Sequence, residues 1–183
     1  TPVRMVSLTR VGTKLPPEEE WAEVSWGMTR LPSITVKRFL TVFDRDVMTA
    51  IFSREMTAAG FRVEDTRSNL FENEASSSDL TLGVDIKSLK GEFASPALGF
   101  GTRFKGKAAI SIEWQLYSRL ERRVVARIAT RGGFVLDKGS ETAAADALAA
   151  AFEQNVRALA ASAEFRKFVI GSDPQVTPRD VEA

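Results

Sequence analysis

Two residue types are missing outright: the 183-residue sequence contains no cysteine and no histidine. Without cysteine there is no disulfide, no thiolate nucleophile and no sulfur-based metal site. Without histidine the commonest general base near neutral pH and the commonest transition-metal ligand are gone. Zinc, copper and haem sites and every histidine-dependent triad are thereby disfavoured. Carboxylates, lysine, tyrosine, serine and threonine are the side chains left for catalysis. Charge of one sign is not in excess either, with 25 Lys and Arg against 24 Asp and Glu and a net charge of +1. A dedicated nucleic-acid binder would carry a clear basic surplus, so no nucleic-acid partner is expected. No apolar run approaches the ~20 residues that a spanning helix needs. No G-x-G-x-x-G after a strand, no P-loop and no G-x-S-x-G is found. The expectation is therefore no catalytic residue, no metal and no cofactor.

The sequence opens at Thr1, with neither an initiator methionine nor a signal-like apolar segment. A trimmed or processed chain is expected, and the loss of a signal peptide or of a lipid-bearing cysteine would fit.

What is present is alternation. Ile110, Ile112, Trp114 and Leu116 alternate with Ser111, Glu113, Gln115 and Tyr117, and Val124, Ala126 and Ile128 alternate with Val125, Arg127 and Ala129. A period of two marks strands with one buried face. The short polar break at 118–123 lets the two runs fold back as an antiparallel hairpin. Residues 104–134 are thus read as a long hairpin at the centre of a sheet, ending at Gly132-Gly133, with 134–136 extending or re-pairing the sheet edge. Other strands are expected at 3–11, at 22–28 and from Leu80 to Lys87, with a further one starting at 61–64. Pro32 punctuates the second of these, and 34–42 reads as strand or as helix. The glycines of 91–106 suggest a long mobile connection.

Two helices stand out. Over 44–59, Met48, Ile51, Phe52, Met56 and Ala59 form one apolar stripe. Asp44 caps its start, alone or with Thr41, and Gly60 followed by Phe61 closes it. A second helix is expected from Ser140, as N-cap, to about Phe168, with Leu148, Phe152, Val156, Leu159 and Ala163 as its stripe. Residues 67–78 read as a polar loop with Leu70 and Phe71 tucked into the core. The expected fold is α+β: a mainly antiparallel sheet with a long central hairpin and two helices packed on one face, in a single domain over 1–170. Residues 171–183 read as a polar tail or linker.

Candidate contact residues follow from this layout. Arg119, Arg122, Arg123, Arg127 and Arg131 gather on the second half of the hairpin, and their even spacing is expected to put Arg123, Arg127 and Arg131 on one outer face. Such a row is either a solvated, aggregation-resistant face or a surface for an anionic partner. Trp114 belongs to the apolar side and is expected in the core. Trp21 and Trp26 are the candidates for a partner surface. Glu64, Asp85 and Glu113 stand on neighbouring strands, where a converging carboxylate pair would serve glycoside hydrolysis; outward charges of a sheet explain them more simply.

Several of these segments carry a resemblance. A helix ending in Ala58-Ala59-Gly60-Phe61-Arg62-Val63 is followed by Ser78-Asp79-Leu80-Thr81-Leu82-Gly83-Val84, then by Ile110-Ser111-Ile112-Glu113-Trp114-Gln115-Leu116-Tyr117, with Val124-Val125 on the return strand. Over about 43–168 the chain resembles the small α+β domains of Gram-negative envelope lipoproteins. That group includes penicillin-binding-protein activators, the curli-secretion lipoprotein and auxiliary lipoproteins of lipid-transport ABC systems. The lipid-bearing cysteine of the group is absent, and the Pro16-Pro17 and Glu18–Glu20 segment matches none of its motifs. The resemblance implies a non-enzymatic binding or adaptor domain in the periplasm or at the inner face of the outer membrane. It implies a protein partner in cell-envelope assembly or transport, peripheral membrane association through a lost lipid anchor, and room for oligomerisation. The free sheet face, the edge near 61–64 and the 91–106 segment are the expected contact regions, and strand addition at an open edge is one route. The alternatives are a regulatory or targeting domain of a larger protein, such as a periplasmic protease, and a carboxylate-dependent enzyme acting on glycans.

Overall fold

A computed structural model describes residues 4–64, 78–96 and 103–170. The order of elements is β1 (Val6–Thr13), β2 (Glu20–Trp26), β3 (Thr29–Thr35), α1 (Val36–Val42), α2 (Arg45–Ala58), β4 (Leu80–Ser95), β5 (Phe104–Ser118), β6 (Arg123–Ser140), α3 (Ala143–Ala161) and α4 (Ala163–Ile170). Among the described residues the strands form one six-stranded sheet in the order β3-β2-β4-β5-β6, with β1 also paired to β4. The β2–β3, β4–β5 and β5–β6 pairs are antiparallel, whereas β1 and β2 each run parallel to β4. The fold is α+β and mostly antiparallel, and the β5–β6 hairpin forms where the alternation places it, with β5 inside the sheet and β6 as its outer strand.

The alternation decides which face is covered. Leu80, Leu82, Val84 and Ile86 of β4 pair with Ser118, Leu116, Trp114 and Ile112 of β5, and all eight are buried. Helix α3 lies across this face with Leu148, Phe152, Val156 and Leu159 buried, and α2 packs beside it. Trp114 is the centre of the core, with its ring centroid 6.2 Å from Phe52 and 6.0 Å from Phe152. At full burial each such ring is among the larger hydrophobic contributions a side chain makes.

Helix α2 keeps its expected ends. Asp44 Oδ1 accepts the Val47 N–H at 3.0 Å, one of the donors a helix start leaves open. Gly60 takes φ 87°; its N–H donates to Thr57 O, and the Phe61 N–H donates to Met56 O, each at 3.0 Å. That paired closure requires a left-handed residue, hence the glycine.

Other expectations need correction. Residues 91–106 are not one connection. Gly91–Ser95 completes β4 and Phe104–Gly106 begins β5. The glycines there serve close packing: a Cβ on Gly91 would stand 2.7 Å from the Trp21 ring, and one on Gly106 would stand 2.5 Å from the Phe93 ring and 2.2 Å from Glu92 O. Residues 61–64 make one bridge, Val6 to Val63, and no strand. The ambiguous 34–42 segment divides between β3 and α1, with Pro32 inside β3 at the sheet edge, where a missing N–H is tolerated. Ser140 is the last residue of β6 and does not cap α3, whose N-cap is Thr142. The second helix breaks at Ser162. Ala163 is exposed beyond that break, and Phe165 and Val169 of α4 take the buried positions. Among the described residues four helices therefore stand where two were expected. Leu70, Phe71 and the tail 171–183 lie outside the described residues.

Candidate partner-binding face

The face of the sheet away from the helices is built by the same alternation in opposite phase. Lys90, Ala109 and Gly133 form one cross-strand row, and Glu92, Lys107 and Val135 form the next. Ala94, Ala109 and Gly133 leave the surface low between β2 and β6. Two adjoining hollows of about 640 and 780 Å³ follow, sharing Glu23, Glu92, Lys107 and Val135 in their walls. Val135 is 69% exposed and Met28, at the β2–β3 turn, is fully exposed. Two ion pairs stand beside them, Lys107 with Glu92 at 2.9 Å and Arg30 with Glu23 at 2.9 Å, while Glu20, Lys90, Lys105 and Asp137 also line the hollows. An apolar floor rimmed by charges of both signs suits a polypeptide better than a small ion.

The candidate side chains divide. Trp26 is 51% exposed at the end of β2, but it pairs with Ser95 in the phase of Ala22 and Phe93, the helix-covered side, and does not line the groove. Trp21 sits in the core at 6% exposure, edge-on to Phe39 at 6.0 Å and Phe93 at 6.2 Å. The β2–β3 register slips at Trp21, between the Glu20–Thr35 and Ala22–Ile34 pairs, and such a bulge re-aims a side chain. Its Nε1 is buried without a hydrogen-bond partner among the described residues. Arg127 and Arg131 share the open face, opposite Gln115 and Ser111, and make no ion pair among the described residues. Arg123 does not share it. The register passes from Leu116–Ala126 to Tyr117–Val124, so Val125 is an extra residue and the phase inverts beyond it. Arg123 then pairs across from Ser118 at the sheet end and holds Glu121 at 2.5 Å.

The carboxylates on this face do not form an acid–base device. Asp85 and Glu113 are cross-strand partners, and Lys87 Nζ stands 2.6 Å from Asp85 and 3.7 Å from Glu113. The hydrogen bond with Asp85 is the main cause that holds the Lys87 ammonium protonated beyond its ordinary range. Glu64 is elsewhere, accepting the Ser78 N–H at 3.2 Å. A carboxylate pair bridged by a lysine on an open face has no apolar pocket to keep one member protonated. Among the described residues no three acidic side chains gather as a metal site.

Sequence reasoning missed the groove residues Ala109, Met28 and Val135. The available signal was Val135 itself, an apolar residue in the outward phase of a strand. It also missed Asn155, fully buried on the sheet-facing side of α3. Trp114 Nε1 donates to Thr130 Oγ1 at 2.7 Å, and Thr130 donates to Asn155 Oδ1 at 2.6 Å. Asn155 Nδ2 donates to Ile110 O and Ala151 O. A polar residue three positions after Phe152, on the apolar stripe, was the sign.

No family model matches the chain, and no curated protein matches it. Solved structures do. A Xanthomonas campestris protein of the DUF330 family aligns over 87% of this chain and 82% of its own, at 14% identity and a TM-score of 0.51. The two chains share a fold. A putative lipoprotein from Caulobacter crescentus aligns over 68% of this chain and 85% of its own, at 14% identity and a TM-score of 0.40. A minor lipoprotein from Acinetobacter baumannii aligns over 92% and 94%, at 8% identity and a TM-score of 0.37. The descriptions of these last two structures name lipoproteins. No helix among the described residues is long and apolar enough to cross a membrane.

Proposed function

We propose that this chain is a non-enzymatic binding domain of the Gram-negative cell envelope, acting in the periplasm or at the inner face of the outer membrane, and that it recruits a protein partner through the open face of its sheet. In this reading residues 1–170 form one domain. The observation that carries the proposal is the groove between β2 and β6: a low floor of Ala94, Ala109 and Gly133, exposed Val135 and Met28, and a rim of charges of both signs that includes two ion pairs. Arg127 and Arg131 lie on the same face, with cations that make no ion pair among the described residues and set orientation. The lipoprotein descriptions of the structural neighbours support the compartment.

The test is retention of a partner from envelope extract by the immobilised chain and by its Ala109→Arg variant. Ala109 points out of the sheet, so the variant is expected to keep the wild-type circular dichroism and melting temperature. A protein held by the wild type should be lost by at least tenfold from the variant. Equal retention by both would remove the groove as the binding site.

A further inference from the structure

The opposite end of the sheet carries a different surface. β5 and β6 are joined by Arg119, Leu120, Glu121 and Arg122. The turn is well fixed: the Glu121 N–H donates to Ser118 Oγ at 3.2 Å, the Arg119 N–H donates to Asp79 O at 3.2 Å, and Arg122 adopts φ 53°. At its apex Leu120 is 88% exposed. Arg119, Arg122 and Arg123 surround it, all exposed. Glu121 is the acid of the turn and is bound to Arg123, so Arg119 and Arg122 make no ion pair among the described residues. One row behind, Tyr117 and Val124 are cross-strand partners, each 37% exposed, because the bulge at Val125 turns Val124 to the open face. Arg62 lies along the same end, with Asp79 beside the turn and Glu64 near it. The Val6 N–H donates to Arg62 O, Val6 pairs with Leu80, and Leu80 with Ser118.

We infer that this turn is a membrane-contact wedge, in which Leu120 enters the headgroup boundary of a bilayer containing anionic phospholipid while Arg119 and Arg122 bind lipid phosphates. The pairing of features selects that partner. A nucleic acid or an acidic protein surface would match the arginines and leave Leu120 facing charge. An apolar protein groove would take Leu120 and strand the arginines without counter-charges. A bilayer interface offers anions at its surface and hydrocarbon about 5–10 Å beneath. Tyr117 and Val124 then sit at the depth where amphipathic rings collect. The wedge lies at the far end of β4 from Trp26 and Met28, so a docked molecule presents its groove away from the lipid.

Co-sedimentation of the full chain with vesicles tests this, using phosphatidylcholine alone and phosphatidylcholine with phosphatidylglycerol. Binding is expected to the phosphatidylglycerol vesicles only, and to weaken as salt rises. Each arginine near an anionic surface is worth about fivefold, so Arg119→Ser with Arg122→Ser should lower partitioning roughly 25-fold. Leu120→Ser should lower it about tenfold, and Leu120→Trp should add a blue-shifted emission with phosphatidylglycerol vesicles alone. Absence of binding, equal binding to both vesicle types, or binding that Leu120→Ser leaves unchanged would each overturn the wedge. The last result would mean charge attraction only.

Discussion

Gly132 sets how closely α3 approaches the sheet. It lies on the helix-covered face, opposite Ile110. A Cβ there would stand 2.1 Å from Ala151 O and 2.7 Å from Asn155 Nδ2. Neither the backbone carbonyl nor the hydrogen-bonded amide has room to give, so α3 would have to lift. Gly132→Ala is expected to destabilise by roughly 3 kcal/mol, the upper part of the range for overpacking. Gly133 is its control. It points to the open face, where the nearest atom to an added Cβ is 3.5 Å away, and Gly133→Ala should change stability by less than about 0.5 kcal/mol. Urea midpoints for the two variants check this, and equal shifts would mean that the close approach does not govern packing. The sequence could not separate these neighbours. Gly132-Gly133 reads as the end of a hairpin, whereas β6 continues through both to Ser140, and what makes one glycine indispensable is a helix that comes later in the chain.

At the scale of elements, α2 and α3 are joined by a carboxylate with two guanidinium partners. Glu55 is buried between them, with Arg157 Nε at 2.6 Å and Arg54 Nε at 2.9 Å, and Glu153 also binds Arg54. The hydrogen bond from Arg157 is the main cause that holds the Glu55 carboxyl below its ordinary value of 4.5, against the opposing effect of burial. The unfolded chain therefore takes up this proton first as pH falls. The stabilisation is complete above about pH 4.5 and is lost as pH drops through the lower, folded-state value. Glu55→Gln should cost about 1 kcal/mol at pH 7, because both arginines stay more than half exposed and are screened by water. It should also flatten the acid limb of a stability–pH curve. An acid limb as steep as the wild type's would locate that dependence elsewhere.

Helix α2 was legible because every signal for it is local: Asp44 at the start, the stripe from Met48 to Met56, Gly60 at the end. The break at Ser162 was not, since neither proline nor glycine marks it. The chain turns there so that Phe165 reaches Phe61, ring centroids 5.3 Å apart, a contact across a hundred residues that no window reveals. Bulges are invisible for a similar reason. The extra residues at Lys87 and Val125 shift the phase of strands that otherwise alternate, and that is why Arg123 leaves the row that its spacing assigns to it.

The whole molecule divides into a deep part and a shallow part. β4 and β5 are paired on both edges beneath α3, whereas β3 and β6 are the outer strands, β3 with Pro32 in it. Amide exchange should be slowest over residues 82–86 and 108–116, approaching the global unfolding limit. The β2–β3 hairpin should exchange at least tenfold faster, read by mass spectrometry of peptic fragments. Comparable protection in the two regions would show that the sheet opens as one unit.

One edge of β4 serves two strands in turn. β1 takes residues 80–86 and β2 takes 91–95, both in parallel and both synthesised earlier, with Thr13 Oγ1 bonding Ile86 O across 73 positions. β4, β5 and β6, by contrast, are successive, and closing short loops costs less entropy. On the ribosome, at about 5–20 residues per second, the first strands therefore wait roughly 4–14 s for the strand that completes them. Through that interval β1 lacks its strand partner and β2 is covered on one edge only, by β3, which makes the amino-terminal third the stretch of this polypeptide that most depends on a chaperone during its biogenesis.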